Sequence, residues 1–256
     1  MNTEQSGTVE GVLQDGVLTL TLARASRKNA LDTGMIRALQ AQIDRADHDA
    51  DVRVVLLRGD GPDFCSGADL AELLASVTRT QEENEASALE LGRIFVGFRK
   101  LPQPVIGVVR GRALAGGMGL VTACDLVIAA EDAVFGYPEI QRGFVPAMVM
   151  TMLRRIVGER VAFDLAVTGR LLDAAEALRL GFVTTVTPVR ELEDSARRLA
   201  GTLAGRSRTA VALTKRLLYD LDAKVFEAGI AQGARINAHS RTTPEFASAI
   251  AAFLQK

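Results

Sequence analysis

The amino-acid sequence predicts an α/β protein whose last third is helical. An opening pair of segments that alternate apolar and polar residues predicts a β-hairpin. Short apolar runs then alternate with amphipathic stretches, a pattern typical of strands covered by helices. From Pro146 onward helical periodicity dominates, so we expect strands in roughly the first two-thirds of the 256 residues and helices in the remainder.

The first predicted unit is a hairpin followed by a helix and a third strand. Thr8 to Leu13 and Val17 to Leu22 alternate apolar with polar residues, and Asp15-Gly16 supplies the turn between them. Apolar residues recur on one face of residues 33–48, which predicts an amphipathic helix. The continuously apolar run Val52 to Leu57 favours a buried strand.

The middle of the chain continues the alternation of strands and helices. A loop rich in Gly, Asp and Pro over residues 59–67 leads into a helix at about Asp69, where Asp69 and Glu72 have the spacing of a capping box. A longer helix is expected over residues 80–99, and two prolines then end it. Further strands are expected at Val105 to Val109, Leu126 to Ala129 and Val134 to Tyr137, with a short helix that ends at Cys124.

Two apolar stripes at helical spacing mark the C-terminal third. One comprises Leu192, Ala196, Leu199 and Leu203, and the next comprises Val211, Thr214, Leu218 and Leu221. Each stripe predicts an amphipathic helix that packs through these residues.

The composition indicates a globular protein without a charged macromolecular partner. Hydrophobic residues make up 48% of the chain, and 30 Lys and Arg residues nearly cancel 31 Asp and Glu residues. This balance gives no net field that attracts nucleic acid or an anionic membrane. The first ten residues are polar, and no run approaches the ~20 apolar residues of a membrane span, so we expect a soluble, cytoplasmic protein.

Cysteine and histidine usage predicts neither a disulfide nor a metal site. Cys65 and Cys124 each lie in an apolar stretch, which favours buried thiols in a reducing compartment. His48 and His239 end helical stretches in polar surroundings, and their positions give no spacing typical of metal ligands.

Three segments contain the candidate residues for catalysis and binding. Residues 64–70 are Phe-Cys-Ser-Gly-Ala-Asp-Leu, residues 113–120 are Ala-Leu-Ala-Gly-Gly-Met-Gly-Leu, and residues 135–140 are Phe-Gly-Tyr-Pro-Glu-Ile. The first two place small residues where a loop becomes a helix, so N–H groups there are unpaired and the helix dipole favours negative charge. If these ends face one another, the N–H groups of Ala68 and Gly116 would form an oxyanion hole. The structural alternatives are a capped turn, close helix packing and a solvated Glu139.

These segments resemble the crotonase (enoyl-CoA hydratase/isomerase) family. Residues 64–70 are similar to its F-C/A-x-G-A-D-L/I motif, residues 113–125 to A-x-G-G-G-x-x-L-x-x-x-C-D, and residues 135–143 to F-G-x-P-E-x-x-x-G. Gly169 to Val183 is similar to a further family pattern, and Ser26 to Leu31 to the N-A-L entry into the first helix. All of them come in the family's order, so the resemblance spans nearly the whole chain.

The resemblance implies a crotonase-type spiral of ββα repeats with a helical C-terminal region. Residues 1–195 would form the acyl-CoA-binding core, and residues 196–256 would form helices used in a homotrimer or a dimer of trimers. Coenzyme A would be part of the acyl-CoA substrate, so no separate cofactor and no metal, nucleic-acid or membrane partner is expected.

The resemblance also implies which residues form the site. The oxyanion donors fall on Ala68 and Gly116, and the catalytic carboxyl group falls on Glu139. Substrate contacts fall on Ser26, Arg27, Lys28, Ser66, Gly67, Asp69, Leu70, Gly117 and Pro138. Because Ala71 stands where many relatives carry a lysine, Arg27, Lys28 and Lys256 are the candidates for contact with the CoA phosphates.

One position departs from the hydratase pattern. Well-studied enoyl-CoA hydratases use two glutamates, of which the second corresponds to Glu139 and the first to Gly119, which cannot transfer protons. If burial raises the pKa of Glu139, this single carboxyl group would exchange a proton with the substrate's α-carbon. A single carboxyl group suits isomerisation, but residues 115–120 and 143–146 are similar to those of bacterial members grouped with the hydratases, so we expect an enoyl-CoA hydratase. The alternatives are a Δ3-Δ2-enoyl-CoA isomerase that uses Glu139 alone, a non-catalytic acyl-CoA-binding protein, and the family's hydrolysis, decarboxylation and dehydration reactions.

Motifs of three other enzyme classes are not satisfied. Gly117-Met118-Gly119 lacks the third glycine of a dinucleotide-binding fingerprint, because Thr122 occupies that position. The sequence contains no G-x-x-x-x-G-K-S/T phosphate-binding loop, and Gly-x-Ser-x-Gly is absent around Ser66.

Overall fold

The structure is a computed structural model that describes residues 6–220 and 223–255. Its strands are β1 Thr8–Gln14, β2 Val17–Ala23, β3 Val54–Gly59, β4 Val105–Val109, β5 Arg112–Leu114, β6 Leu126–Ala130, β7 Val134–Gly136, β8 Leu171–Asp173 and β9 Thr185–Thr187. Its helices are α1 Thr33–His48, α2 Leu70–Ala75, α3 Gln81–Lys100, α4 Gly116–Ala123, α5 Met150–Thr168, α6 Ala174–Arg179, α7 Leu192–Ala204, α8 Arg208–Asp220, α9 Ala223–Arg241 and α10 Pro244–Leu254.

The strands form two sheets that confirm the predicted α/β class. The larger sheet has the order β1-β2-β3-β4-β6-β9, in which the β1–β2 hairpin is antiparallel and every later neighbour is parallel. The smaller sheet has the order β5-β7-β8. Each parallel pair needs a crossover connection, and helices and loops between the strands supply it.

Alternate residues of β3 face two different apolar cores. Val55 and Leu57 belong to the main core, which also contains the buried face of α1. Val54 and Leu56 point to the other side of the sheet, where Leu192 and Ala196 of α7 cover them. Burial on both faces explains why this strand has a continuous apolar sequence instead of an alternating one. The predicted α7 stripe is therefore confirmed.

The helix predicted from the next stripe is present as α8, but Leu218 of the stripe does not pack on the same chain. Leu218 of α8 is 62% exposed, whereas Lys215 on the same helix is buried. The Lys215 ammonium group donates to the carbonyls of Phe98 and Gln103, at 2.7 and 2.8 Å, and to the Asp125 carboxylate at 2.6 Å. The helix is thus fixed to the body of the protein by polar contacts, which apolar periodicity does not report. Leu221 lies outside the described residues.

Several element boundaries also differ from the predictions. The C-terminal third contains β8 and β9, whose three residues each are too short to produce a periodic pattern. Strand β3 begins at Val54 instead of Val52. The Asp69 carboxylate does accept from the amides of Ala71 and Glu72, but the Glu72 carboxylate accepts from Thr33, so the predicted capping box is only half formed.

The expectation for the two cysteines is confirmed. Cys65 and Cys124 are buried free thiols. Within the described part of the chain, no group of His, Cys, Asp and Glu side chains is arranged to hold a metal ion. None of the described helices combines the length and apolar character needed to cross a membrane.

The buried Lys215 contacts predict a large effect on stability. Replacement Lys215→Met would remove the ammonium donor from two carbonyl oxygens and would leave the Asp125 carboxylate, which still accepts from the Val105 amide and the Tyr219 hydroxyl group, without its buried cation. Loss of one partner of a buried ion pair costs about 3 kcal/mol or more. Urea unfolding followed by circular dichroism measures this loss. Arg216→Met is the matched control on the same helix, since the exposed Arg216 pairs with the exposed Asp220, and its change should stay within about 0.5 kcal/mol. Equal stability of the two variants would contradict a structural role for Lys215.

Candidate functional site

Most of the predicted site residues line one cavity of about 550 Å³. Its walls come from the loop after β2, from α2 and α3, from the start of α4, from the turn after β7, and from α9 and α10. Predicted residues that line it are Ser26, Arg27, Lys28, Ser66, Ala68, Asp69, Leu70, Gly116, Pro138 and Glu139. The structure therefore brings together segments that are more than a hundred residues apart in the sequence.

The main-chain N–H groups of Ala68 and Gly116 belong to adjacent backbone segments at the wall of this cavity. The segment around Ala68 pairs with Leu31, since the Leu31 amide donates to Gly67 O at 2.8 Å and the Asp69 amide donates to Leu31 O at 2.9 Å. In such a parallel bridge the N–H group of Ala68 points away from Leu31. Gly116 is the first residue of α4, where an N–H group has no intrahelical acceptor. Among the described residues, neither group donates to another protein atom.

The separation of the two donors follows from the packing of Gly116. A β-carbon built on Gly116 would lie 3.9 Å from the Ala68 nitrogen and 3.3 Å from a methyl group of Leu31. Gly116 is therefore a close neighbour of the Ala68 amide. The predicted juxtaposition of residues 68 and 116 is present in the structure.

Two of the predicted contact residues have a different position. Neither Gly67 nor Gly117 is among the residues that line the cavity. A β-carbon on Gly117 would lie 2.3 Å from Cys65 O, and one on Gly67 would lie 2.8 Å from the Ala115 β-carbon. These glycines lie behind the wall and let the two backbone segments approach closely. Gly67 also has φ +98°, a conformation that other residues rarely adopt.

Ala115 is a site residue that the sequence reasoning missed. It precedes α4 with φ 51° and ψ −121°, an unusual conformation for a residue with a β-carbon. Its amide donates to Gly136 O at 2.9 Å, which ties the start of α4 to β7. Because Ala115 immediately precedes Gly116, this conformation sets the orientation of the Gly116 N–H group. The sequence contains no signal for this conformation, because alanine rarely adopts a positive φ.

Glu139 supplies a buried carboxyl group to the same cavity. It lies in a short helical turn over Pro138–Arg142 and is 8% exposed. Its Oε2 atom has no hydrogen-bond partner among the described residues. Burial raises the pKa of Glu139 to about 7, against smaller opposing effects from its own backbone amide and the charge of Arg142. The predicted burial of this carboxyl group is therefore present, and the solvated alternative is wrong.

The other described carboxylates at the cavity wall have partners. Asp69 binds Arg24 at 2.6 Å, and Glu72 accepts from the Thr33 amide and hydroxyl group. Glu90 lies 3.7 Å from Arg37. Burial by itself would raise the pKa of Asp69, but the hydrogen bond and charge of Arg24, together with hydrogen bonds from the amides of Glu72 and Ala71, outweigh it and the pKa is lowered. Among the described carboxyl groups of the cavity, Glu139 is thus the one suited to accept and return a proton near neutral pH.

Gly119 is surrounded by apolar atoms. A β-carbon built there would lie 2.8 Å from Phe95 Cζ and 2.8 Å from Val149 Cγ1. Both of these side chains line the cavity. The space that a longer side chain at position 119 would need is therefore filled, and a second carboxyl group has no counterpart at this place.

The predicted CoA contacts lie on the loop after β2. Lys28 has φ 53°, and its carbonyl accepts from the Ser66 amide at 3.0 Å, which joins this loop to the segment that carries Ala68. Arg27 and Lys28 both line the cavity. Lys256 lies outside the described residues. Asp69 lines the cavity as predicted, although its carboxylate is occupied by Arg24 and by the start of α2.

Residues of the C-terminal third complete the cavity and were not predicted. They include Asn237, Arg241, Phe246, Ile250, Phe253 and Leu254. Helix α10 packs on α2 through Phe246, Ile250 and Leu73. Because these residues come from helices far away in the sequence, no local motif indicates that they share a cavity with Ala68.

Comparison with known proteins agrees with this geometry. The sequence profile of the enoyl-CoA hydratase/isomerase family matches residues 13–256. A Thermus thermophilus protein whose name places it among the enoyl-CoA hydratases is 40% identical over 240 residues, 94% of this chain and 95% of the relative. A Mycobacterium leprae protein named in the same way is 34% identical over 253 residues, 97% of this chain and 94% of the relative.

Solved structures show the same fold. An enoyl-CoA hydratase/isomerase from Xanthobacter autotrophicus superimposes with a TM-score of 0.90 at 29% identity, covering 97% of this chain and 93% of the other. An enoyl-CoA hydratase from Mycobacterium avium subsp. paratuberculosis superimposes with a TM-score of 0.86 at 28% identity, covering 96% of this chain and 95% of the other. The fold class predicted from the resemblance, a crotonase-type spiral, is confirmed. With a family profile that matches nearly the whole chain, this protein belongs to the enoyl-CoA hydratase/isomerase (crotonase) family.

Proposed function

We propose that this protein is an enoyl-CoA hydratase that adds water across the 2,3 double bond of an enoyl-CoA thioester. The observation that carries the proposal is the buried Glu139 carboxyl group in the cavity that also contains the N–H groups of Ala68 and Gly116. The relatives named as hydratases, at 40% and 34% identity over nearly the whole chain, support the same choice.

The two N–H groups act on the thioester carbonyl. As a nucleophile adds at the β-carbon, negative charge develops on the thioester oxygen, which becomes an enolate. Fixed donors aimed at that oxygen stabilise the transition state more than the substrate, because the charge is largest there. Removal of one donor of this kind typically costs a factor of about 10² to 10³ in rate. Ala68 and Gly116 would share this role.

Glu139 would move one proton from water to the substrate. As a carboxylate it takes a proton from a water molecule whose oxygen bonds to the β-carbon, and the enolate forms. The resulting carboxylic acid then returns the proton to the α-carbon on the same face, and the carboxylate is restored. A pKa of about 7 suits both steps, since the group is readily ionised and readily protonated near neutral pH.

Isomerisation is the second candidate, and the surroundings of Gly119 favour it. Phe95 and Val149 fill the space near position 119, so the cavity lacks a second carboxyl group to hold the attacking water. With a 3-enoyl-CoA substrate, Glu139 would take a proton from the α-carbon and return it to the γ-carbon. This reaction needs the same two N–H donors and no water.

Neither reaction requires a cofactor apart from the coenzyme A of the substrate.

We also propose that the protein forms a homotrimer, alone or as a dimer of trimers, through the C-terminal region of residues 196–256. The described part of this region leaves Leu213, Leu217 and Leu218 of α8 exposed, which supports burial against another subunit. Other parts of the region, α9 and α10, pack on the same chain's α3 and α2, so its role extends beyond assembly.

The substrate choice separates the two reactions. We expect the protein to hydrate a trans-2-enoyl-CoA, which removes the conjugated absorbance of the thioester, and the 3-hydroxyacyl-CoA product is identified by mass spectrometry. A 3-enoyl-CoA of the same chain length is the parallel substrate. Turnover of the 3-enoyl substrate alone would replace hydration by isomerisation. Binding of both thioesters without turnover of either would leave an acyl-CoA-binding protein.

Replacement Glu139→Gln should lower kcat by about 10² to 10⁴, because an amide of nearly the same shape cannot accept and return a proton. The dissociation constant for a saturated acyl-CoA should stay within about threefold, since the cavity keeps its form. Calorimetry measures that constant, and steady-state assays measure kcat. Undiminished kcat in the variant would remove the proposed role of Glu139.

The pH dependence gives a second readout for the same residue. The rate of the wild-type protein should rise with pH through about 7, as the Glu139 carboxyl group ionises, and residual activity of the Gln variant should lack this step. The stability of the folded state should change in the opposite direction. A folded pKa above that of the unfolded chain means that stability falls as pH rises from about 4.5 to about 7, and the Gln variant should lose this dependence.

The proposed assembly is tested by sedimentation. Analytical ultracentrifugation of the purified protein at micromolar concentration should give the mass of three or six 27.3 kDa chains. Leu217→Glu would place a charge in the exposed apolar face of α8 and should shift the distribution toward smaller species. The matched control is Arg216→Glu on the same helix. A wild-type protein that sediments as a monomer would contradict the trimer.

A further inference from the structure

The cavity contains a buried cation that the proposed reaction does not use. Arg241 lies at the end of α9, is 7% exposed and lines the cavity. Its Nε atom has no hydrogen-bond partner among the described residues. The guanidinium carbon lies 5.8 Å from the centre of the Phe144 ring, which covers one of its sides.

The described carboxylates of the cavity do not compensate this charge. Asp69, Glu72 and Glu90 are occupied by Arg24, Thr33 and Arg37, respectively. The charge of Arg142 lowers the pKa of Glu139. The charge that affects the pKa of Arg241 is that of another cation, Arg79. Burial and the charge of Arg79 lower the pKa of Arg241 to about 10, so the side chain is still charged near neutral pH. Two cations thus meet at one wall of the cavity.

This wall belongs to the side of the cavity that carries Glu139. The Phe144 amide donates to Glu139 O at 3.1 Å, and the Phe144 ring lies 5.3 Å from the ring of Phe246 in α10. The predicted CoA contacts lie on a different element, the loop after β2. A thioester held by Ala68 and Gly116 with its α-carbon near Glu139 would therefore direct its acyl chain toward Phe144 and Arg241.

We propose that Arg241, assisted by Arg79, binds a carboxylate at the distal end of the acyl chain. The preferred substrate would then be the CoA monothioester of an unsaturated dicarboxylic acid. A guanidinium group fits a carboxylate with two parallel hydrogen bonds, and a buried cation discriminates strongly against a ligand that leaves it without a partner. The proposal rests on the proposed function only for the direction in which the acyl chain runs.

Binding of two saturated thioesters tests the proposal without any turnover. Hexanoyl-CoA and the CoA monothioester of hexanedioic acid have the same chain length and the same CoA phosphates, and they differ only in the terminal carboxylate. Calorimetry should show that the wild-type protein binds the carboxylated thioester at least about tenfold more tightly, since a hydrogen bond to a charged group is worth about tenfold or more. The matching pair of 2-enoyl thioesters should show the same preference in kcat/KM.

Variants assign the preference to the two arginines. Arg241→Met should weaken binding of the carboxylated thioester by about tenfold to a hundredfold and leave hexanoyl-CoA within about threefold. Arg79→Met should weaken binding of the carboxylated thioester by about twofold to fivefold. Because Arg79 is exposed, this variant keeps its fold. Arg235→Met is the matched control on α9, since the exposed Arg235 contacts Gln232 and Glu85 outside the cavity lining, and it should change neither constant.

Three results would overturn the proposal. Equal binding of the two thioesters by the wild-type protein would show that no carboxylate subsite exists. Equal weakening of both by Arg241→Met would assign the arginine to the CoA phosphates. An unchanged preference in both arginine variants would place the recognition elsewhere. Failure of the proposed function gives a different pattern, in which neither enoyl thioester is turned over although the saturated pair keeps its tenfold difference.

Discussion

The close approach of two backbone segments is the constraint on which the site depends. The segment Cys65–Ala68 runs against the first turn of α4 so tightly that a β-carbon on Gly117 would lie 2.3 Å from Cys65 O. Leu114 donates to that same carbonyl at 2.9 Å, and Cys65 bridges to Ala113. This contact sets the distance between the N–H groups of Ala68 and Gly116. The glycines of the motif therefore act through packing, and the residues beside them present the donors.

The sequence allowed the cavity's centre to be predicted but not its outer walls. Helix ends with small residues, a proline followed by Glu139, and a family resemblance were enough to identify Ala68, Gly116 and Glu139. These signals are local, because each depends on a few neighbouring residues. Arg241 and Phe246 reach the cavity only through the packing of α9 and α10 on α3 and α2, which no local pattern reports. For the same reason no local pattern indicates that Lys215 is buried and Leu218 exposed in the single chain.

The surroundings of Gly119 and Glu139 explain how one carboxyl group is kept suited to proton transfer. Phe95 and Val149 fill the space at position 119 and also line the cavity, so a second acid does not fit there, and Glu139 is itself buried. Loss of solvation disfavours the charged form of a carboxyl group and raises its pKa. A second carboxylate nearby would raise the pKa by a different route, through repulsion between like charges. In this protein burial, and not a second carboxylate, raises the pKa of Glu139. Hydration by the proposed route then depends on water held by Glu139 alone.

The charges in the cavity do not neutralise one another, and this has a consequence for binding. The charge of Arg142 lowers the pKa of Glu139, whereas the charge of Arg79 lowers the pKa of Arg241. Glu139 and Arg241 are therefore separate charged sites within the cavity. A buried charge without a partner is unfavourable in the free protein, and a ligand that brings the complementary charge removes that cost. On our two proposals the substrate would do so at both ends of its acyl group, where the enolate oxygen meets two N–H donors and the distal carboxylate meets a guanidinium group. Because α9 carries Arg241 and α10 closes the same wall, correct docking of the C-terminal helices is then a condition for substrate selection as well as for folding.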